Sequence, residues 1–285
     1  MKIAIVGAGK LGMKVTNALA GGNHSITIID KNEAIINRIS HQYDVLTVVG
    51  DAKQVLNLLL ERLPQYEHKE WKDFVLSFPR ETEYGESESV LTPKQVLSAI
   101  ARKCPQDSIV ATDVGQHQMW AIQHLHFDYP GQLLTSGGFG TMGFGLGAAM
   151  GAKMGNPDKP VVLCTGDGCF RMNCHELATV EHYHIPVITV IFNNQTLGMV
   201  RQWQHLIYGE RYSQTDLDRG PDFVKLANAY GIGGARCATQ AEFEAALKKA
   251  VASGDPWVIE CAIDKDAMVH PMVPGGAPVT DFLLD

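Results

Sequence analysis

Two short stretches carry residue types suited to metal–phosphate chemistry. The first is Gly166-Asp167-Gly168, entered from the apolar run 161–165. The second is Asn193-Asn194, entered from the apolar run 186–192. Asp167 offers an anionic carboxylate oxygen and Asn194 a neutral amide oxygen. Hard oxygen donors of this kind suit Mg²⁺, which prefers octahedral oxygen and often shares its shell with a phosphate. The glycines beside Asp167 carry no Cβ, so backbone N–H groups can approach a diphosphate closely. Near the N-terminus, Gly7, Gly9 and Gly12 form G-x-G-x-x-G between strand-like and helix-like stretches. Asp30 ends the next strand-like stretch, where a carboxylate bonds a ribose hydroxyl in dinucleotide-binding folds.

Such groups need rigid elements to hold them. Strands are predicted over Lys2–Val6, 25–29 and 45–49, with helical patterns between them, giving one β-α-β-α-β unit. A Leu-rich helix follows over 54–63. After Pro64 the composition changes. The stretch 65–88 is charged, with Trp71, Phe74 and Phe78 at helical spacing, and reads as a linker holding one amphipathic helix. Pro93 suits the first turn of a helix running to Lys103. Beyond it, strands at 108–112, 161–165, 186–192 and 257–262 alternate with helices at 143–154, 176–183, 223–230 and 240–252. The strands are apolar without alternation, which predicts a parallel sheet with helices on both faces. Both motifs then lie at carboxyl ends of strands, where α/β sheets bind ligands. The α/β chain thus divides into a partial Rossmann-like unit (1–52), a helix and linker (53–91) and a parallel-sheet domain (92–285).

Composition narrows the function classes. The chain has 285 residues, 45% hydrophobic and 19% charged, an ordinary globular balance. A net charge of -7 disfavours nonspecific nucleic-acid binding, which needs concentrated Lys and Arg. No apolar run approaches the ~20 residues that span a bilayer. The opening MKIAIVGAGK reads as a first strand rather than a signal peptide, so a cytoplasmic location is expected. The six cysteines form no C-x-x-C pair, which argues for reduced thiols rather than zinc ligands. His124, His126, His182 and His184 read as solvated, with no ligand constellation around them.

The segment GDGCFRMNCHELATVEHYHIPVITVIFNNQTLGMVRQWQ resembles the diphosphate-binding domain of acetolactate synthases. The stretches DVGQHQMWA (Asp113 on), SGGFGTMGFGLGAAMGA (Ser136 on) and HPMVPGGA (His270 on) resemble the same family, in its order. The resemblance runs from about Gly50 to the C-terminus. It implies a thiamine-diphosphate- and Mg²⁺-binding domain acting on 2-oxoacids in branched-chain amino acid synthesis. It further implies that Asp167 and Asn194 bind Mg²⁺ by side chain and Thr196 by its backbone carbonyl. Gln116 and His117 would contact the diphosphate, with Gly168, Cys169, Leu197 and Gly198 completing its cradle. Met142 would sit under the cofactor and hold its rings bent, Gly140 and Met199 would contact the aminopyrimidine, and Trp203 would line the pocket for the second 2-oxoacid. Taken alone, His117 also reads as a surface histidine, Met142 and Met199 as core, and Trp203 as packing. The sequence departs from the family at Cys169 (commonly Ser), Gly147 (Pro) and Thr141 (Ala). None of these removes a metal ligand.

Acetolactate synthases resemble three α/β domains in series. The first supplies the glutamate that starts proton abstraction, and this chain has no counterpart of it. No catalytic residue is therefore assigned here, and the glutamate is expected from a pyrimidine-domain partner in a homo- or hetero-oligomer. Of the FAD-holding middle domain only VVGDAKQVLNLLLERL is retained, which argues against an FAD site.

Residues 1–52 resemble the start of TrkA-type nucleotide-binding domains, which regulate potassium transport. The resemblance implies NAD as a candidate ligand for Gly7, Gly9, Gly12 and Asp30. A fragment of this size buries little surface by itself, so a cap packed on its neighbour is the alternative. Two rival functions follow: a TrkA-like NAD(H)-binding regulator, or a noncatalytic fusion.

Overall fold

The computed structural model describes residues 2–62, 68–77, 90–274, 276–278, 281 and 283, which fall into two units, Met1–Glu83 and Tyr84–Asp285. In the first unit, β1 (Lys2–Val6), α1 (Lys10–Leu19), β2 (Ser25–Asp30), α2 (Glu33–Gln42) and β3 (Leu46–Val49) follow the predicted alternation. The strands pair in parallel in the order β1-β2-β3, the arrangement of one Rossmann half. Asn32 starts α2, its Oδ1 accepting from Ile35 N at 3.2 Å. Ile5, Ile26, Ile28, Ile36 and Ile39 form a small core. Then come α3 (Ala52–Arg62) and α4 (Lys69–Ser77). The Leu-rich α3 buries none of its residues, and Leu60 is 76% exposed. Trp71 and Phe74 share one face of α4, ring centroids 5.8 Å apart, and both are exposed. Phe78 and most of the predicted linker lie outside the described residues.

The second unit opens with α5 (Pro93–Lys103). Thr92 and Gln95 form a reciprocal capping box before it, and Pro93 occupies its first turn. The elements that follow are β4 (Ile109–Thr112), α6 (Gln116–His124), β5 (Leu133–Leu134), α7 (Phe144–Gly155), β6 (Val161–Gly166), α8 (Asp167–Asn173), a 3-10 turn (Cys174–Glu176), α9 (Leu177–His182), β7 (Val187–Asn193), α10 (Gly198–Leu206), α11 (Phe223–Ala229), β8 (Gly233–Cys237), α12 (Gln240–Ser253) and β9 (Trp257–Ala262).

The six strands form one parallel sheet in the order β5-β4-β6-β7-β9-β8. Successive side chains point to opposite faces. Val162, Cys164, Val190 and Phe192 therefore pack with Leu97, Trp120 and Phe243 from α5, α6 and α12. Val161, Leu163, Val187 and Ile191 pack with Leu146, Phe170 and Phe223 from α7, α8 and α11. With both faces covered, the strands have no polar side, which is why they read as unbroken apolar runs.

Five elements were not anticipated from the sequence: α6, α8, α10, β5 and β8. Strand β8 reads Gly-Gly-Ala-Arg-Cys, poor in strand formers, and it forms through its ladder to β9. Helix α6 is polar at its start because Gln116 and His117 face a cleft. Among the described residues, no helix is long and apolar enough to cross a membrane.

Candidate functional site

Strands β4, β6 and β7 are neighbours, and their carboxyl ends open side by side. The chain leaves β4 for β5 on one side and returns to β6 on the other, so strand order reverses between β4 and β6. Open parallel sheets bind ligands at such a reversal. A cleft lies there, lined by Asp167, Asn194, Thr196, Gln116, His117, Met142, Gly168, Cys169, Leu197, Gly198 and Met199. Gly140 and Trp203 do not line it; Trp203 is half-buried on α10.

Asp167 is the first residue of α8 and is 2% exposed. Burial lifts its carboxyl to about 6, while the positive charge of Arg171 pulls the other way. A buried carboxylate held up in this way gains from a cation beside it. Asn194 Oδ1 accepts from Thr196 N at 3.2 Å, and its Nδ2 donates to Gln116 Oε1 at 3.2 Å. The amide oxygen is thereby fixed toward the loop. That loop bends through Gln195, at φ +55, whose N–H donates to Asn193 Oδ1 at 3.1 Å. Asn193 in turn donates to Glu260 Oε1 at 2.6 Å, and Arg236 pairs with Glu260 at 3.0 Å. Among the described residues, no three His, Cys, Asp or Glu cluster as a metal cage. A mixed set of carboxylate, amide and backbone oxygens matches Mg²⁺ rather than zinc.

His117 is 5% exposed, which rules out the surface-histidine reading. Its ring stacks on Phe192 and lies over two glycines; a Cβ on Gly166 would come within 3.0 Å of Nδ1, and one on Gly115 within 2.9 Å of Cε1. The ring hydrogen-bonds the Asp113 backbone, and burial still holds its pKa down to about 3, so it is neutral at pH 7. Nε2 is buried without a partner. In the neutral ring the proton is engaged with the Asp113 backbone, so Nε2 is an acceptor open to a ligand donor.

Gln116 lines the cleft. Its Nε2 donates to Gln202 Oε1 at 2.9 Å and to Ala267 O at 2.8 Å, so both amide hydrogens are committed within the protein. Its side chain braces Asn194 and the segment after β9. Gln202, 2% exposed, continues the network by donating to Val269 O at 3.0 Å and accepting from Val269 N at 2.9 Å. Cys169 Sγ donates to Val114 O at 3.0 Å, and burial pushes the thiol up to about 12, so it is not a nucleophile at neutral pH.

Two participants had no role in the sequence reading, Gln202 and Asp113. Asp113 is 2% exposed, and its carboxylate accepts from Gly143 N at 2.7 Å, Val114 N at 3.2 Å, and Gly145 N and Thr165 Oγ1 at 3.3 Å. Burial raises its pKa against those four hydrogen bonds. Its position at the head of a matching stretch was the available signal. Its partners other than the adjacent Val114 lie 30 to 52 residues away, beyond any local pattern.

In the first unit, a Cβ on Gly12 would stand 1.9 Å from Gly7 O, so α1 packs directly on the turn after β1. Gly7 has φ +100. Asp30 Oδ2 accepts from Ala8 N at 2.7 Å and Oδ1 from Asn32 N at 2.8 Å. Those two backbone bonds hold its carboxyl below the usual range.

Comparison with known proteins gives two family matches. Residues 3–66 match the TrkA-N domain. Residues 113–261 match the C-terminal TPP binding domain of thiamine pyrophosphate enzymes. The chain is 39% identical over 261 residues to the acetolactate synthase isozyme 2 large subunit of Escherichia coli, covering 91% of this chain and 47% of that one. It is 42% identical over 250 residues to the probable acetolactate synthase large subunit of Methanocaldococcus jannaschii, covering 84% and 42%. The chain thus spans less than half the length of these relatives. The fold is similar to that of the thiamine diphosphate-dependent 4-hydroxybenzoylformate decarboxylase of Rhodococcus jostii, with a TM-score of 0.66 and 24% identity, covering 85% of this chain and 44% of that one. Since the second match takes in the strand ends, both motifs and more than half of the residues, this chain belongs to the thiamine pyrophosphate enzyme family.

Proposed function

We propose that the cleft binds thiamine diphosphate with Mg²⁺ and forms the diphosphate-binding half of an acetolactate-synthase-like site. The observation that carries this reading is the convergence of Asp167, Asn194 and Thr196 with the uncapped starts of α6 and α10 in one cleft. Asp167 and Asn194 supply side-chain oxygens to Mg²⁺, and Thr196 its backbone carbonyl. Helices α6 and α10 begin without side-chain caps, and their first residues line the same cleft, so free N–H groups favour an anion there. Gly168, Cys169, Leu197 and Gly198 form the diphosphate cradle with Gln116 and His117, whose Nε2 accepts from a protonated phosphate oxygen. Met142 supports the rings, and Gly140 and Met199 meet the aminopyrimidine. Trp203 faces the second 2-oxoacid. When bound, thiamine diphosphate supplies carbanion chemistry for decarboxylating one 2-oxoacid and condensing it with a second. The protein's share is to anchor, bend and shield from water.

A pyrimidine domain supplies the activating glutamate in this reading, from a partner chain. The test is calorimetric titration with thiamine diphosphate, with and without Mg²⁺. Tight binding that requires Mg²⁺ and disappears in Asp167→Ala supports the reading; binding indifferent to both refutes it. Activity in a cytoplasmic setting would then appear only after the partner is added.

A second reading concerns the first unit. The close approach of Gly12 to Gly7 and the fixing of Asp30 by Ala8 N–H favour a dinucleotide such as NAD on the turn after β1. NADH titration, with Asp30→Ala as control, tests it.

A further inference from the structure

We infer that Asp113 is a positioning residue: it supplies, from the end of β4, the cap that α7 lacks, and thereby fixes Met142 at the floor of the cleft. The inference rests on the cofactor reading above.

Helix α7 starts from Gly143, a left-handed residue at φ +84 with no side chain to cap the helix. The first N–H groups of a helix need partners from elsewhere. Asp113 accepts from Gly143 N at 2.7 Å and from Gly145 N at 3.3 Å. Room for the carboxylate comes from Gly145, where a Cβ would lie 2.9 Å from Asp113 Oδ2 and 2.7 Å from Leu163 Cδ1. Gly143 is pinned from its other side by Asn173, whose Nδ2 donates to Gly143 O. With its N–H and C=O both held, Gly143 has one orientation, and Met142 is joined directly to it. The Met142 side chain reaches over Gly168, where a Cβ would lie 3.8 Å from Met142 Cε. The same carboxylate holds Val114 N and Thr165 Oγ1, so one group sets the ends of β4 and β6 and the Met142 turn together.

Met142 meets the ring portion of the cofactor, whereas Asp167 and Asn194 meet its diphosphate. Loss of the Asp113 cap therefore weakens ring recognition selectively. Asp113→Asn presents an amide N–H₂ to backbone donors and cannot cap both. The full chain is titrated with thiamine diphosphate and with inorganic pyrophosphate, each with Mg²⁺. Asp113→Asn and Met142→Ala are each expected to weaken thiamine diphosphate about tenfold, leave pyrophosphate within about twofold, and combine in the double variant with no further loss. Equal weakening of both ligands in Asp113→Asn, or fully additive losses, overturns the inference. If Asp113→Asn does not fold, Met142→Ala decides, and an unchanged ratio between the two ligands overturns it. Hydrogen exchange without ligand separates this claim from the cofactor reading. Faster exchange at Gly143 and Gly145 in Asp113→Asn supports positioning, and unchanged exchange overturns it. A wild-type chain that binds neither ligand overturns the cofactor reading and the ring-recognition claim with it.

Discussion

Gly198 lies so close to the Gln116 side chain that a Cβ on it would stand 1.9 Å from Oε1 and 2.9 Å from Asn194 Nδ2. The glycine thus admits the amide that orients Asn194. Gly198→Ala is expected to displace Gln116, break the Gln116–Asn194 bond, and weaken Mg²⁺-dependent thiamine diphosphate binding by about tenfold or more. Far-UV circular dichroism should be unchanged. Full affinity in a folded Gly198→Ala chain would remove Gln116 from the orientation of Asn194.

Asp167 predicts a conflict between stability and function. Its carboxyl titrates at about 6 in the folded chain against an ordinary 3.8, because burial opposes the charge. Between those values the folded state holds the proton that the unfolded state has released, so stability falls as pH rises from 3.8 to about 6. Above about 6 the full penalty, on the order of 3 kcal/mol at most, is present. Asp167→Asn should therefore raise the melting temperature of the metal-free chain at pH 7, with the gain shrinking as pH falls toward 4. Saturating Mg²⁺ with thiamine diphosphate should reverse the order, stabilising the wild type alone. A variant less stable than wild type at pH 7 without metal would contradict this account of Asp167.

Much of this site was legible because two strong local signals sit at adjacent strand ends. Gly166-Asp167-Gly168 and Asn193-Asn194 each follow an apolar run, and the β6–β7 ladder brings those runs together. What escaped depends on distant partners. His117 sits on a helix with no clear apolar face, and its burial comes from residues distant in sequence, such as Gly166 and Phe192. Gln116 could be assigned to the cleft, but its commitment to Gln202 and Ala267 arises across 86 and 151 residues. In the first unit the alternation of strand and helix was plain. That α3 buries no residue was not, since a Leu-rich helix by itself does not say whether its leucines are covered.

Gln202 tests whether the buried amide network supports the fold. Gln202→Leu keeps a similar size but strands one Gln116 hydrogen and both Val269 backbone groups. Each buried group left unpaired costs on the order of 1–3 kcal/mol. The urea midpoint should fall, while Gln202→Glu, which still accepts from Gln116 and Val269 N, should lose less. Equal midpoints for Gln202→Leu and wild type would mean that water or rearrangement satisfies those groups.

The first unit offers a prediction independent of the cofactor cleft. Gly12 is the contact between α1 and the turn after β1, and the atom that a new Cβ would strike is a backbone oxygen, which cannot rotate away. Gly12→Ala must push α1 off Gly7, straining the turn that presents Ala8 N–H to Asp30. Overpacking of this kind costs on the order of 1–3 kcal/mol or more. Hydrogen exchange should accelerate across β1, α1 and β2 and stay unchanged in β4, β6 and β7. NADH affinity, if the turn binds a dinucleotide, should fall with it, while thiamine diphosphate affinity holds. Acceleration spread evenly over both units would show that the turn after β1 is not a local packing contact and would undo the assignment of Gly7 and Gly12 to a dinucleotide turn.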